Sequence, residues 1–61
     1  MKTFTESQIY SIAKACDSGR YGGFMQSIGR ALLLADSNNQ ERLILAFCDT
    51  FEKILSVEAA Q

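Results

Sequence analysis

Residues 23–47 read GFMQSIGRALLLADSNNQERLILAF, and this stretch decides the fold. Both of its ends carry apolar residues at helical spacing, whereas Asp36-Ser37-Asn38-Asn39 in the middle is a cluster of cap and turn formers. Two amphipathic helices joined by a tight connection follow. On a projection of about 100° per residue, Phe24, Met25, Ile28, Ala31, Leu32 and Ala35 share one side of a helix over about 23–35, while Gln26, Arg30, Leu33 and Leu34 point elsewhere. Gly29 lies within that helix at a cost of about 1 kcal/mol relative to Ala. Two readings of it stand at this level: close approach by another backbone, or a tolerated neutral glycine.

Downstream, Ser37 with Gln40, or Asn38 with Glu41, supplies a start signal for a third helix over about 38–57. Leu43, Ile44, Phe47, Cys48, Phe51, Ile54 and Leu55 form its broad apolar face, and Arg42, Asp49, Glu52 and Lys53 cover the rest. Asp49 and Lys53 also have the favourable i, i+4 order of an ion pair, worth roughly 0.2–0.5 kcal/mol. Upstream, Thr5 and Gln8 have capping-box spacing, and Phe4 and Ile9 flank them as a hydrophobic staple. A first helix over about 6–17 then buries Ile9, Ile12, Ala13 and Cys16, with Lys14 toward solvent. Asp17-Ser18-Gly19 closes it, and Gly19 suits the left-handed conformation beyond the last turn. Three of the six residues from Ser18 to Gly23 are glycines, which frees the backbone of the connection.

These elements predict a single all-α domain over residues 1–61, a small three-helix bundle. Leu33, Leu34 and Leu45 lie off the stripes that such a bundle would bury, and a chain of 61 residues buries only about 60% of its unfolded surface. Surplus leucine on the backs of amphipathic helices marks a surface for another chain. The expectation is therefore a homo-oligomer or a protein complex with Leu33, Leu34, Leu45 and Arg30 at the interface.

Composition narrows the functional classes. The chain is 48% hydrophobic and 21% charged, with a formal net charge of −1, so no long-range field selects nucleic acid or anionic lipid. A helix-turn-helix reading fails on the same ground, because the third helix carries only Arg42 and Lys53 as cations, near opposite ends. The longest apolar run, Ala31 to Ala35, is far short of the ~20 residues of a spanning helix, and Met1-Lys2-Thr3 leads into polar residues. A cytoplasmic location is expected. The chain has no His, and Cys16 and Cys48 stand apart without a CxxC pair, so both read as reduced core thiols rather than metal ligands or a disulfide. No nucleophile has a paired base, and no catalytic, cofactor or metal residues are assigned.

One local cluster has the parts of a ligand site. Arg20-Tyr21-Gly22-Gly23 enters the second helix, where glycine lets amide groups approach an anion, the helix start is electropositive and Arg20 adds charge. Tyr21 could stack on a base, and Tyr10, Lys14 or Arg30 of a neighbouring chain could complete a pocket for a phosphate-bearing molecule such as a nucleotide signal. A plain glycine-rich turn with Tyr21 folded over the core is the competing reading.

Gly23-Phe24, Arg30-Ala31-Leu32, Ala35-Asp36, Asn39, Arg42-Leu43, Ala46-Phe47 and Phe51-Glu52-Lys53 together resemble a group of short proteins of temperate phages and prophages. Their pattern runs approximately G-x-F, R-A-L-x-x-A-D-x-x-N, R-L-x-x-A-F and F-x-K, and the similarity covers about residues 22–55. The resemblance implies an accessory, non-structural phage role in the bacterial cytoplasm and supplies no catalytic residues. Relatives often carry Pro after the A-F pair; Cys48-Asp49 stand there in this chain, which implies an unbroken third helix. Two functions follow as expectations: a small interaction protein that modulates a host protein, or an oligomeric binder of a small phosphate-bearing ligand.

Overall fold

The computed structural model describes residues 4–60. Four helices and no strand make up the described chain: α1 (Glu6–Asp17), α2 (Gly23–Leu34), α3 (Ser37–Ala46) and α4 (Cys48–Ala59). The all-helical expectation holds, but the three-helix bundle does not, because the predicted third helix is two. Phe47 separates α3 from α4 with φ −120° and ψ 24°, far from helical values. A straight helix from Ser37 to Ala59 would run about 35 Å at 1.5 Å per residue. The longest dimension of the molecule is 29 Å. Bending at Phe47 lets α4 turn back against α1, and the Phe47 ring sits between Phe24 and Phe51 at centroid distances of 5.9 and 6.0 Å. Packing thus overrides a helical periodicity that carries no break.

Boundaries elsewhere follow local chemistry. The Thr5 hydroxyl accepts from the Gln8 N–H at 3.1 Å while the Gln8 side chain accepts from the Thr5 N–H at 2.9 Å, the reciprocal capping box expected at the start of α1. Gly19 ends that helix at φ +86° as expected, and the Gln26 amide donates to the Asp17 carbonyl at 3.1 Å, satisfying one of its last acceptors. The α3 start differs from the sequence reading: Asp36, not Ser37 or Asn38, is the N-cap, its carboxylate accepting from the Asn39 N–H at 2.8 Å. Helix α2 ends at Leu34 because Ala35 is already extended.

Helix α1 is the central element, packed along α2 and more lightly on α4, while α3 bridges α2 and α4. The core is Ile12, Ala13, Ala15 and Cys16 of α1, Leu32 of α2, and Phe51 and Ile54 of α4. Being covered on two sides makes the α1 face wider than one stripe, so Ala15 is buried as well. Gly29 marks the closest approach of α2 to α1. A methyl group built there would lie 2.5 Å from the Cys16 Cβ, 2.7 Å from the Asp17 nitrogen and 2.8 Å from the Ala13 oxygen. Of the two readings of Gly29, close backbone approach is the one realised. This contact also explains a misplaced stripe: α2 meets α1 through Met25, Ile28, Gly29 and Leu32, which leaves Phe24 66% exposed and Ala31 on the surface. Helix α3 buries no residue completely, alone among the four.

Candidate functional site

Two places carry the residues singled out by sequence. The first is the α1–α2 connection with Arg20, Tyr21, Gly22 and Gly23. Hydrogen bonds from the Ser18 hydroxyl to the Ala15 carbonyl at 2.6 Å and from the Gly22 N–H to the Gly19 carbonyl at 3.1 Å hold it. Gly22 takes φ +95°, a conformation that disfavours side-chain-bearing residues, and precedes α2 without a side-chain cap. Arg20 and Tyr21 both turn toward the far end of the chain. The Arg20 Nη1 lies 2.9 Å from the Glu58 Oε2, and the Tyr21 hydroxyl donates to the same oxygen at 2.8 Å.

Sequence reasoning missed Glu58. It lies 38 residues from Arg20, in the last turn of α4, and no local spacing points to it. The hydrogen bond to its carboxylate, then burial and the carboxylate charge, push the Tyr21 hydroxyl above its ordinary value, with Arg20 offsetting part of the rise. Burial, and secondarily the Glu58 charge, push the Cys16 thiol up. Such a thiol stays protonated and inert. Cys16 is buried and Cys48 half-buried, and neither is in a disulfide. Arg20 and Tyr21 therefore grip an anionic oxygen, but the oxygen belongs to the chain itself.

The second place is the exposed leucines, with Leu33 and Leu34 at the end of α2 and Leu45 in the last turn of α3. Leu33, Leu34 and Leu45 are 37%, 79% and 50% exposed, with Tyr10, Phe24 and Val57 also prominent on the surface. Leu33 shares a shallow groove with Glu6 and Tyr10 between α1 and α2, and Leu34 shares another with Arg42 and Leu43 between α2 and α3. Ala35 borders both grooves. Arg30, grouped with the leucines by sequence, is engaged elsewhere: its Nε lies 3.0 Å from the Asp17 Oδ1, tying α2 to the end of α1. The Asp49–Lys53 pairing expected along the third helix is not among the described ion pairs, which join distant elements instead. Lys14 lies 6.0 Å above the Tyr10 ring, at the outer limit of a cation–π contact.

Among the described residues no charged side chain is buried, and no group of three or more His, Cys, Asp or Glu stands close enough to hold a metal ion. No described helix is long and apolar enough to cross a membrane. Comparison with protein-family models, with curated proteins and with solved structures finds no match to this chain.

Proposed function

We propose that this chain is a small accessory protein of phage or prophage type that acts in the bacterial cytoplasm by binding other protein chains, modulating its host without catalysing a reaction. One observation carries the reading: the packed chain leaves Leu33, Leu34 and Leu45 on its surface. Full burial of an exposed leucine is worth roughly 1.5–3 kcal/mol; Leu33 and Leu45 are already half or more covered, so a partner seated there gains a fraction of that from each and most from Leu34. Catalysis has little to work with, since solvated carboxylates at exposed helix positions lack the environment that tunes an acid against a base. The phosphate-ligand alternative at Arg20, Tyr21, Gly22 and Gly23 faces an internal competitor, because an incoming anion has to displace Glu58 from both donors.

The test is affinity capture from a bacterial lysate with the tagged chain and with a Leu33→Ser, Leu34→Ser, Leu45→Ser variant, alongside circular dichroism of both. The variant keeps its helix content, since none of the three lies in the core, and loses the bacterial protein that the parent retains. Identical capture by both, or none by either, removes the reading.

A further inference from the structure

We propose that Phe47 is a hinge through which two copies of this chain exchange α4: α3 and α4 join into one continuous helix, and the α4 of each copy packs on the α1 of the other. The pairing uses core contacts already present in the single chain and goes beyond the association carried by Leu33, Leu34 and Leu45. Between Ser37 and Ala59 only Phe47 departs from the helix, at φ −120° and ψ 24°. Its N–H donates to the Leu43 carbonyl at 3.0 Å and its carbonyl accepts from the Phe51 N–H at 2.8 Å, so both flanking helices reach it intact. The bonds that would cross it are the ones missing. Helix α4 starts without a side-chain cap, and the N–H groups of Cys48, Asp49 and Thr50 lack the Ile44, Leu45 and Ala46 carbonyls that an unbroken helix would give them. Neither Pro nor Gly stands anywhere from Ser37 to Ala59, so nothing in the local sequence opposes that helix. What holds the bend is the Phe47 ring between Phe24 and Phe51, together with the packing of α4 on α1.

Straightening at Phe47 is incompatible with α4 staying on its own α1. Only Ala35 and Asp36 lie between α2 and α3, so α3 is tethered to the end of α2 and it is α4 that swings away. The movement withdraws Phe51 and Ile54, 0% and 4% exposed, from the core, and takes Glu58 from Arg20 and Tyr21. Left in solvent, that face is costly. The α1 of a second copy, vacated in the same way, fits it residue for residue. A two-fold exchange therefore restores the α1–α4 contacts and both Glu58 hydrogen bonds, now between chains, and adds the backbone bonds across Phe47. The occupant follows from identity, since the surface that α4 leaves is the surface that its counterpart needs.

Refolding the full chain from denaturant at low and at high concentration, followed by sedimentation, tests the exchange. Dilute chains fold singly, whereas concentrated chains also give a species of twice the mass that returns to the single chain slowly on dilution, because α4 must leave one core to regain the other. Phe47→Ala removes the ring that holds the bend, favours helix, and raises the doubled species several-fold. Cys48→Pro abolishes it: proline suits the first position of α4, whose N–H has no helical partner, but in a continuous helix it clashes with the Ile44 carbonyl. Circular dichroism at low concentration checks that this variant folds, and if it does not, the salt bridge decides. Arg20→Glu sets two carboxylates together and Glu58→Arg two guanidinium groups, in the single chain and in either homodimer, whereas exchange between the two variants sets an acid against a base at both junctions. Refolded together, they form the mixed dimer several-fold more often than chance. Parent and Phe47→Ala chains that keep the single-chain mass at every concentration overturn the exchange, as does a doubled species that folded Cys48→Pro retains or a mixture that pairs at random.

Discussion

Gly29 shows how a residue that weakens a helix can hold a tertiary contact. Replacing it with Ala gains about 1 kcal/mol of helix propensity, but the new methyl meets the Cys16 Cβ at 2.5 Å and two backbone atoms of α1 under 3 Å. Backbone cannot step aside cheaply. Gly29→Ala is therefore expected to lower stability by about 2 kcal/mol or more by urea denaturation, the range of overpacked cores. Gly23→Ala, with nothing within 4 Å of the new methyl, serves as the control and leaves stability unchanged or raised. Apolar periodicity marks Ile12, Ala13, Cys16 and Leu32 as core, and they are buried. It misplaces Phe24 because a stripe is defined by apolar side chains, whereas the closest contact of α2 with α1 is made by a residue without one.

Among the elements, α3 is the least anchored, with half-buried Leu43 and Ile44 and no buried residue, whereas α1 has four. Its start depends on one side chain, the Asp36 carboxylate on the Asn39 N–H. Asp36→Ala is expected to cost about 1 kcal/mol, the usual worth of an N-cap, with hydrogen exchange of the α3 amides quickening while those of α1 stay slow. Equal acceleration in both helices contradicts the hierarchy. Capping chemistry is local, so the start of α1 at Thr5 and the end marked by Gly19 can be read from a few residues of sequence. The break at Phe47 has no such signature. No Pro or Gly stands there, and the bend accompanies the return of α4 onto α1 and the seating of Phe47 between Phe24 and Phe51.

Across the whole molecule, Glu58 joins the last turn of α4 to the α1–α2 connection through Arg20 and Tyr21. The folded chain holds the Tyr21 proton more tightly than the unfolded chain, where tyrosine has its ordinary value of 10.0, so this group's stabilisation is complete below that value and is lost as pH rises through the raised one. Cys16, raised from 9.0, acts in the same direction at the alkaline end. In a Tyr10→Phe background, where tyrosinate absorbance reports Tyr21 alone, titration is expected above 10, and Glu58→Gln is expected to bring it back down. An unmoved midpoint removes the carboxylate as the cause. The amino-acid order alone settles the helical class, the capping box of α1 and the leucines left outside the core, whereas the N-cap of α3 falls one or two residues earlier than the sequence reading. The division of the last helix in two, the close contact at Gly29, and the engagement of Arg20 and Tyr21 by a carboxylate 38 and 37 residues away are settled only by packing, since they depend on which surfaces meet once helices of finite length enclose a shared core.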